Sequence, residues 1–404
     1  MDVAALVPAL ERLLSLTGFS ALTMGNAFMI LAALTVMHVA VHREVEPLLL
    51  IPLSFGCLLA NLPFTMMGSA DVGGILYFFY EGIRHEIWPP LIFLGLGALV
   101  DFGPLLANPS AFLLGAAAQA GVYLTMIVAA MSGFTLRESA AISIIGMGDG
   151  PAAVFLSNKL SPDILGPVAI TAYALAALAP GIQNIIAAVF TTEADRKIKM
   201  EPPRPISQGA KVAFPVAAMI ICALIAPSAT PLIGMLMLGN LMRERGLTQR
   251  LSEFTETHLI NTVTILLALS IGSSMTAETF LRMDTVKIMA LGTFSFVAAT
   301  AFGAMMGKFL SMATQGKINP LIGAAAISAF PVPARGIQMI GREANPSNNL
   351  LLCAMGPNLA GLIGASATAG ILLAVLGPPL EYPRGGIEAA IEIAADMLRS
   401  LFAV

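Results

Sequence analysis

Apolar runs follow one another along almost the whole chain, separated by brief polar punctuation. Stretches long enough to cross, or nearly cross, a bilayer fall near 19–41, 47–62, 87–103, 110–133, 138–158, 164–190, 209–226, 228–242, 258–273, 284–311, 318–335 and 348–377. Several are short or broken by Gly and Pro, so some are expected to be re-entrant. Ahead of them, Val3, Leu6, Leu10, Leu13 and Leu14 share a helical face, with Glu11, Arg12 and Ser15 opposite. That predicts an amphipathic helix over 1–18, lying in the membrane interface. The tail, 378–404, reads as an acidic amphipathic helix with Glu388, Glu392 and Asp396 on its polar side.

The longest polar loop, 191–211, carries Arg196, Lys197, Lys199, Arg204 and Lys211. The positive-inside rule places it in the cytoplasm. A loop bearing Arg243, Arg245 and Arg250 falls on the same side, one helical hairpin later. The loop divides the chain into a first transmembrane repeat, 19–190, and a second, 212–377. "IPLSFGCLLANLP" (51–63) pairs with "PLIGMLMLGNLMR" (231–243), and "LIFLGLGALVDFGPLL" (91–106) with "TILLALSIGSSMTAETFL" (264–281). "ISIIGMGDGPAAVF" (142–155) pairs with "INPLIGAAAISAFPVPAR" (318–335), and "LGPVAITAYALAALAP" (165–180) with "LLCAMGPNLAGLIGAS" (351–366). The order is kept at an offset of about 180. Duplicated halves with helices interrupted at matching places point to a transport fold with its site between the repeats. Counting every segment as a crossing makes the repeats parallel; one re-entrant segment would make them inverted.

Composition fixes the class. Hydrophobic residues make up 57% and charged residues 11%, against about 45–50% and about 25% in soluble domains, and mean hydropathy is +0.84. A soluble chain of 404 residues has no way to hide that much apolar surface, so the expected fold is an all-α, polytopic transmembrane helical bundle. The net charge of −3, without a basic patch interleaved with aromatics, argues against nucleic acid as a partner. Cys57, Cys222 and Cys353 sit in apolar segments without disulfide or metal spacing and read as small buried hydrophobes. His38, His42, His85 and His258 lie near segment ends without ligand spacing. The N-terminus has neither a basic n-region nor a small-residue cleavage site, so no cleaved signal peptide is expected. No Walker A, Rossmann or nucleophile-elbow pattern occurs.

One charge stands out. Asp149 lies in the middle of an apolar segment, wrapped in Gly146, Gly148, Gly150 and Pro151. Those residues break the helix and free backbone carbonyls. A carboxylate beside free carbonyls makes a hard, oxygen-rich site for a small cation, and at membrane depth it is costly unless paired or titrating. A second broken segment offers Asn319, Gly323, Ser328 and Arg335 among Pro320, Pro331 and Pro333. A third places Asn358 after Gly356-Pro357, ahead of a small-residue run suited to close helix packing. In the repeat alignment Ser328 falls near Asp149, and Asn358 near Tyr173. One carboxylate with two amides and a hydroxyl suits a monovalent cation at a midplane ion site. Arg335 either faces water at a helix end or partners a carboxylate. Asp101, before Gly103-Pro104, reads as a turn or interface residue.

Five ordered stretches, "IIGMGDGPAAVFLSNKLSPDILG", "TTEADRKIKM", "PLIGMLMLGNLMRERG", "INPLIGAAAISAFPVPAR" and "AMGPNLAGLIG", make the chain resemble the β subunits of the sodium-translocating, biotin-dependent decarboxylases. The resemblance covers about 47–376. It implies a membrane-embedded carboxybiotin decarboxylase that exports Na+ and consumes a proton. The biotin would ride on a partner, not on this chain. Implied partners are a biotin carrier, a carboxyltransferase, a small membrane-anchor subunit and membrane lipid, with room for a homo-oligomer. The implied location is the inner membrane of a bacterial or archaeal cell. The implied sodium and coupling residues are Asp149, Asn319, Gly323, Ser328, Arg335 and Asn358, with Arg335 facing carboxybiotin. Tyr173 stands where the family often has two tyrosines spaced by one residue; here Leu175 replaces the second, which weakens a tyrosine proton donor. Gly364-Ala365 precedes Ser366 where the family often has Gly-Ser, which puts one sodium-binding hydroxyl in doubt. The rival expectation is a Na+- or H+-coupled carrier of an organic anion without enzymatic activity.

Overall fold

The computed structural model describes residues 12–43, 46–244 and 248–378. Most of the expected interfacial helix, Arg245 and the tail from 379 onwards lie outside the described residues. The uninterrupted apolar runs form helices: α1 (Met24–Arg43), α2 (Pro47–Ala60), α3 (Ile75–Arg84), α4 (Trp88–Leu99), α5 (Ala111–Met131), α6 (Leu136–Ser143), α7 (Gly150–Leu160), α8 (Leu165–Phe190), α9 (Gln208–Ile225), α10 (Thr230–Glu244), α11 (Ile260–Ser273), α12 (Met283–Ala313), α13 (Val332–Ala344) and α14 (Leu351–Leu376). No strand occurs among the described residues. Seven helices are long and apolar enough to cross a bilayer: α1, α5, α8, α9, α11 with the turns leading into it, α12 and α14. The α2, α4 and α10 helices have 14, 12 and 15 residues.

Corresponding helices run in opposite directions. The α5 and α12 helices are antiparallel: Gly121 meets Ala298 and Ala299 at mid-length, and Phe134 beyond the end of α5 lies against Lys287 at the start of α12. The α4 and α11 helices also oppose each other, since Gly95 near the end of α4 packs on Ile260 at the start of α11. Packing is exchanged between the halves. The α2 helix lies parallel to α11, and α4 parallel to α10; α8 packs on α12, and α14 on α5.

Both parallel pairs are tied at their ends by an asparagine. Asn61 Nδ2 donates to Met275 O at 2.8 Å, and Asn240 Nδ2 donates to Val100 O at 2.7 Å. Each amide satisfies a carbonyl that a helix end leaves unpaired.

Two of the twelve expected segments do not cross. The 138–158 stretch forms a hairpin of α6, the turn Ile144–Met147 and α7. Its two ends share one face: Phe134, Glu138 and Ile164 line a common pocket, and Arg137 Nε donates to Leu376 O at the end of α14. The 318–335 stretch, built of the turn Pro320–Ala325 and α13, enters from the opposite face, where Asn319 and Asn348 both bond the backbone of the basic loop. With one hairpin per half, each repeat makes five crossings, an odd number that requires inversion. Three packed cores hold the bundle, the largest around the hairpins with α5, α8, α12 and α14.

Helices this close need glycine at the crossing. A Cβ on Gly272 would lie 2.1 Å from Leu53 O, whereas one on Gly181 would meet nothing within 4 Å. Gly272→Val is therefore expected to cost about 1–3 kcal/mol or more through overpacking. Gly181→Ala should be neutral or stabilising by up to about 1 kcal/mol. Thermal unfolding of the detergent-solubilised protein checks this; equal midpoints for the two variants would contradict the close packing of α2 on α11.

Candidate functional site

The sequence dictates the first hairpin tip. Gly148, at φ +61°, terminates the turn Ile144–Met147 in the left-handed region that glycine tolerates. The chain reverses, and Asp149 becomes the N-cap of α7, its Oδ1 accepting from Ala152 N at 3.0 Å. Pro151 sits in the first turn, where its missing N–H costs nothing. The second tip docks directly on the first. Ser328 N donates to Met147 O at 2.8 Å, and Ser328 Oγ donates to Asp149 Oδ2 at 2.6 Å. Asp149 is 4% exposed and Ser328 2%. The two residues, 179 apart in sequence, thus meet where the inverted halves meet.

Tyr173 reaches the same place from α8. Its ring lies on Gly150, where a Cβ would come within 2.1 Å of it, and its hydroxyl is buried with no partner among the described residues. Asp149, Tyr173 and Ser328 line one cavity of about 190 Å³. Asn358 stands behind the second tip. Its Nδ2 donates to Ile327 O at 2.5 Å, while its Oδ1 is buried and unpaired. Gly361, one turn on, allows α14 to press against Ala326 O. Ser366, the hydroxyl in doubt, bonds back to Leu362 O within α14.

The structure does not bring Asn319, Gly323 or Arg335 into the cavity. Asn319 caps the turn Pro320–Ala325 at the hairpin's root, accepting from Leu321 N at 3.0 Å. Its Nδ2 donates to Arg196 O and Ile198 O in the basic loop at 3.1 and 2.7 Å. Asn348, at the far end of the same hairpin, donates to Arg196 O at 2.9 Å. Residues 192–201 are thus a strap tied to both legs of the second hairpin. Asp195 anchors the strap to Lys308 of α12. Burial opposes the Asp195 carboxylate, but Lys308 and the Thr192 N–H outweigh it and hold its pKa below the usual carboxylate value. Gly323 faces Gly303 and Gly307, which lets the hairpin lie against α12 backbone to backbone. Arg335 is exposed on α13, one turn beyond Val332, which does line the cavity. No side-chain partner for it occurs among the described residues.

Sequence reading missed Asn348 and also Gln183, whose Nε2 donates to Ala324 O at 2.8 Å. A glutamine inside the apolar 164–190 run was the available signal. Asp101 is the turn and interface residue expected, accepting from Gly103 N and pairing with Lys211.

Inverted repeats whose re-entrant hairpins meet at a buried carboxylate define a polytopic membrane protein with its polar site between the halves. Sequence comparison makes the class particular. The family model for the Na+-transporting oxaloacetate decarboxylase beta subunit matches residues 25–376, and the chain belongs to that family. It is 50% identical to methylmalonyl-CoA decarboxylase subunit beta of Veillonella parvula, covering 92% of this chain and 99% of the relative. It is 46% identical to glutaconyl-CoA decarboxylase subunit beta of Acidaminococcus fermentans, over 92% and 99% of the two chains. Oxaloacetate decarboxylase beta chain 2 of Salmonella typhi is 40% identical, over 90% and 98%. The chain is accordingly a decarboxylase subunit of a sodium-translocating enzyme, which sets aside a plain carrier without enzymatic activity.

The strap generates its own test. Asn319→Ala removes two of its hydrogen bonds, so trypsin is expected to cleave at Lys197 or Lys199 several-fold faster in the folded, detergent-solubilised protein. Unchanged cleavage would mean that Asn319 does not hold the strap.

Proposed function

We propose that this chain releases CO2 from carboxybiotin carried by a partner subunit and uses the free energy to export Na+, with the basic face in the cytoplasm of a bacterial or archaeal cell and the chain in its inner membrane. The carrying observation is the lone carboxylate, Asp149, buried where the two hairpin tips meet. Partners consistent with this are a biotin carrier, a carboxyltransferase and a small membrane anchor.

Asp149 and the Ser328 oxygen are the nearest ligands for Na+, and the unpaired Oδ1 of Asn358 stands beside the same unwound segment. One formal charge amid neutral oxygens suits a monovalent cation. Asn319 and Gly323 support this site by fixing the root of the hairpin that carries Ser328. A proton and Na+ exclude each other at Asp149, because each takes the same lone pairs. That exclusion is the coupling.

Carboxybiotin supplies an N-carboxylate whose N–C bond breaks to release CO2, leaving the nitrogen to take up a proton. The exposed, unpaired guanidinium of Arg335 suits such a carboxylate, which it can grip with two parallel hydrogen bonds. Tyr173, which lines the same cavity as Asp149 and whose Oη is buried with no partner among the described residues, is the proton donor this reading assigns.

The test of this reading is Na+-dependent decarboxylation of free carboxybiotin by the purified subunit. Asp149→Asn is expected to abolish both decarboxylation and Na+ transport while the protein still inserts, since losing an intramembrane charge relieves a desolvation cost. Near wild-type turnover in that variant would remove Asp149 from the mechanism. Arg335→Lys keeps the charge but loses the planar fork, and should lose most activity while Na+ binding survives. Normal turnover in both Arg335→Lys and Arg335→Ala would refute the docking role.

A further inference from the structure

The cavity above Asp149 has a second acid at its other end. Glu46 precedes α2 and lines the same 190 Å³ space as Asp149, Tyr173 and Ser328. The direction of α2 places it on the basic face. Asp101 at the end of α4 pairs with Lys211, next to the basic loop, and α2 runs opposite to α4. Between the two carboxylates the walls are Leu49, Ile92, Leu96 and Ile260, with Thr264 the polar exception. The Glu46 backbone is at φ +39°, unusual for a residue with a Cβ, and Pro47 follows it at the first position of α2. Its carboxylate has no hydrogen bond or ion pair among the described residues, although lysines and arginines are plentiful on this face.

We propose that Glu46 is the group that admits Na+: a carboxylate at the mouth of an apolar-walled passage that draws the cation from solution and delivers it to Asp149. An acid at the mouth of a cleft focuses the field into it, and low-dielectric walls reduce the screening it would meet on an open surface. Asp149 alone, buried at the floor, presents little charge to bulk water. Strained backbone with an unsatisfied charge at a cavity mouth is a place where fold stability has been traded for a task. The inference rests on the reading of the chain as a Na+-exporting carboxybiotin decarboxylase.

The experiment uses the protein in its membrane complex, with carboxybiotin-driven turnover followed against Na+ concentration at ionic strength held constant by choline chloride. Glu46→Gln is expected to raise the half-saturating Na+ about tenfold, with a smaller effect on maximal rate. Glu46→Asp should recover most of the loss, and Glu46→Lys should exceed it. Raising choline chloride should weaken Na+ dependence in wild type and have a smaller effect in Glu46→Gln, a response that a structural role would not produce. An unchanged half-saturation, or a fall in maximal rate alone, overturns the proposal while leaving the pump reading intact. Wild-type turnover that ignores Na+ overturns the pump reading itself.

Discussion

The hydrogen bond from Ser328 to Asp149 is the constraint from which the rest of the architecture follows. A carboxylate at membrane depth is tolerable only if its oxygens are occupied. Here Oδ1 caps α7 through Ala152, and Oδ2 accepts from a residue of the other half. The first partner needs the free N–H of a helix's first turn, and the second is a hydroxyl on a tip whose own N–H is bonded to Met147 O across the junction. Each half therefore has to bring a broken segment to the same depth. Gly148, Gly150 and Pro151 do this on one side, and Pro320, Pro331 and Pro333 on the other.

Inversion lets two such segments meet end to end. Parallel repeats would send both hairpins in from one face, side by side. Inverted repeats send them from opposite faces, and their tips touch near the middle, with Ser328 on the Met147 carbonyl and the Asp149 carboxylate. The surrounding helices serve that meeting. The α8 and α14 helices each press a polar side chain, Tyr173 or Asn358, against the tip region of their own half, and glycines at 150 and 361 make room. The α2, α4 and α11 helices form the wall past which the site opens towards Glu46.

Much of this was legible in the sequence. All ten crossing segments were visible as apolar runs, and Asp149 stood out because a carboxylate among glycines inside such a run has few structural uses. The hidden part was hidden for definite reasons. The hairpin of α6 and α7 spans as many residues as a crossing helix and still reads as one apolar run, so length does not separate them, and the choice between parallel and inverted repeats turned on that distinction. Asn319 offered an amide inside a broken helix, which in sequence is indistinguishable from a ligand. Its true neighbours, Arg196 O and Ile198 O, lie more than 100 residues away and become apparent only when the loop folds over the hairpin.

The strap changes how the basic loop is understood. Positive charge there reads first as a topology signal, and its lysines and arginines do cluster on one face. Yet the backbone of the same loop takes hydrogen bonds from Asn319 and Asn348, and its Asp195 pairs with Lys308. Main-chain carbonyls hold the hairpin while the Arg196 guanidinium caps the end of α8 at Ala187 and Thr191 and Lys197 pairs with Glu193, so one segment ties α8 and the hairpin together. The hairpin held this way carries Ser328 at its tip and Arg335 on its outer leg. Its root is fixed as well, because Gly323 lets the turn Pro320–Ala325 lie backbone to backbone on α12. The hairpin that carries the exposed Arg335 is thus the same one that reaches Asp149 through Ser328.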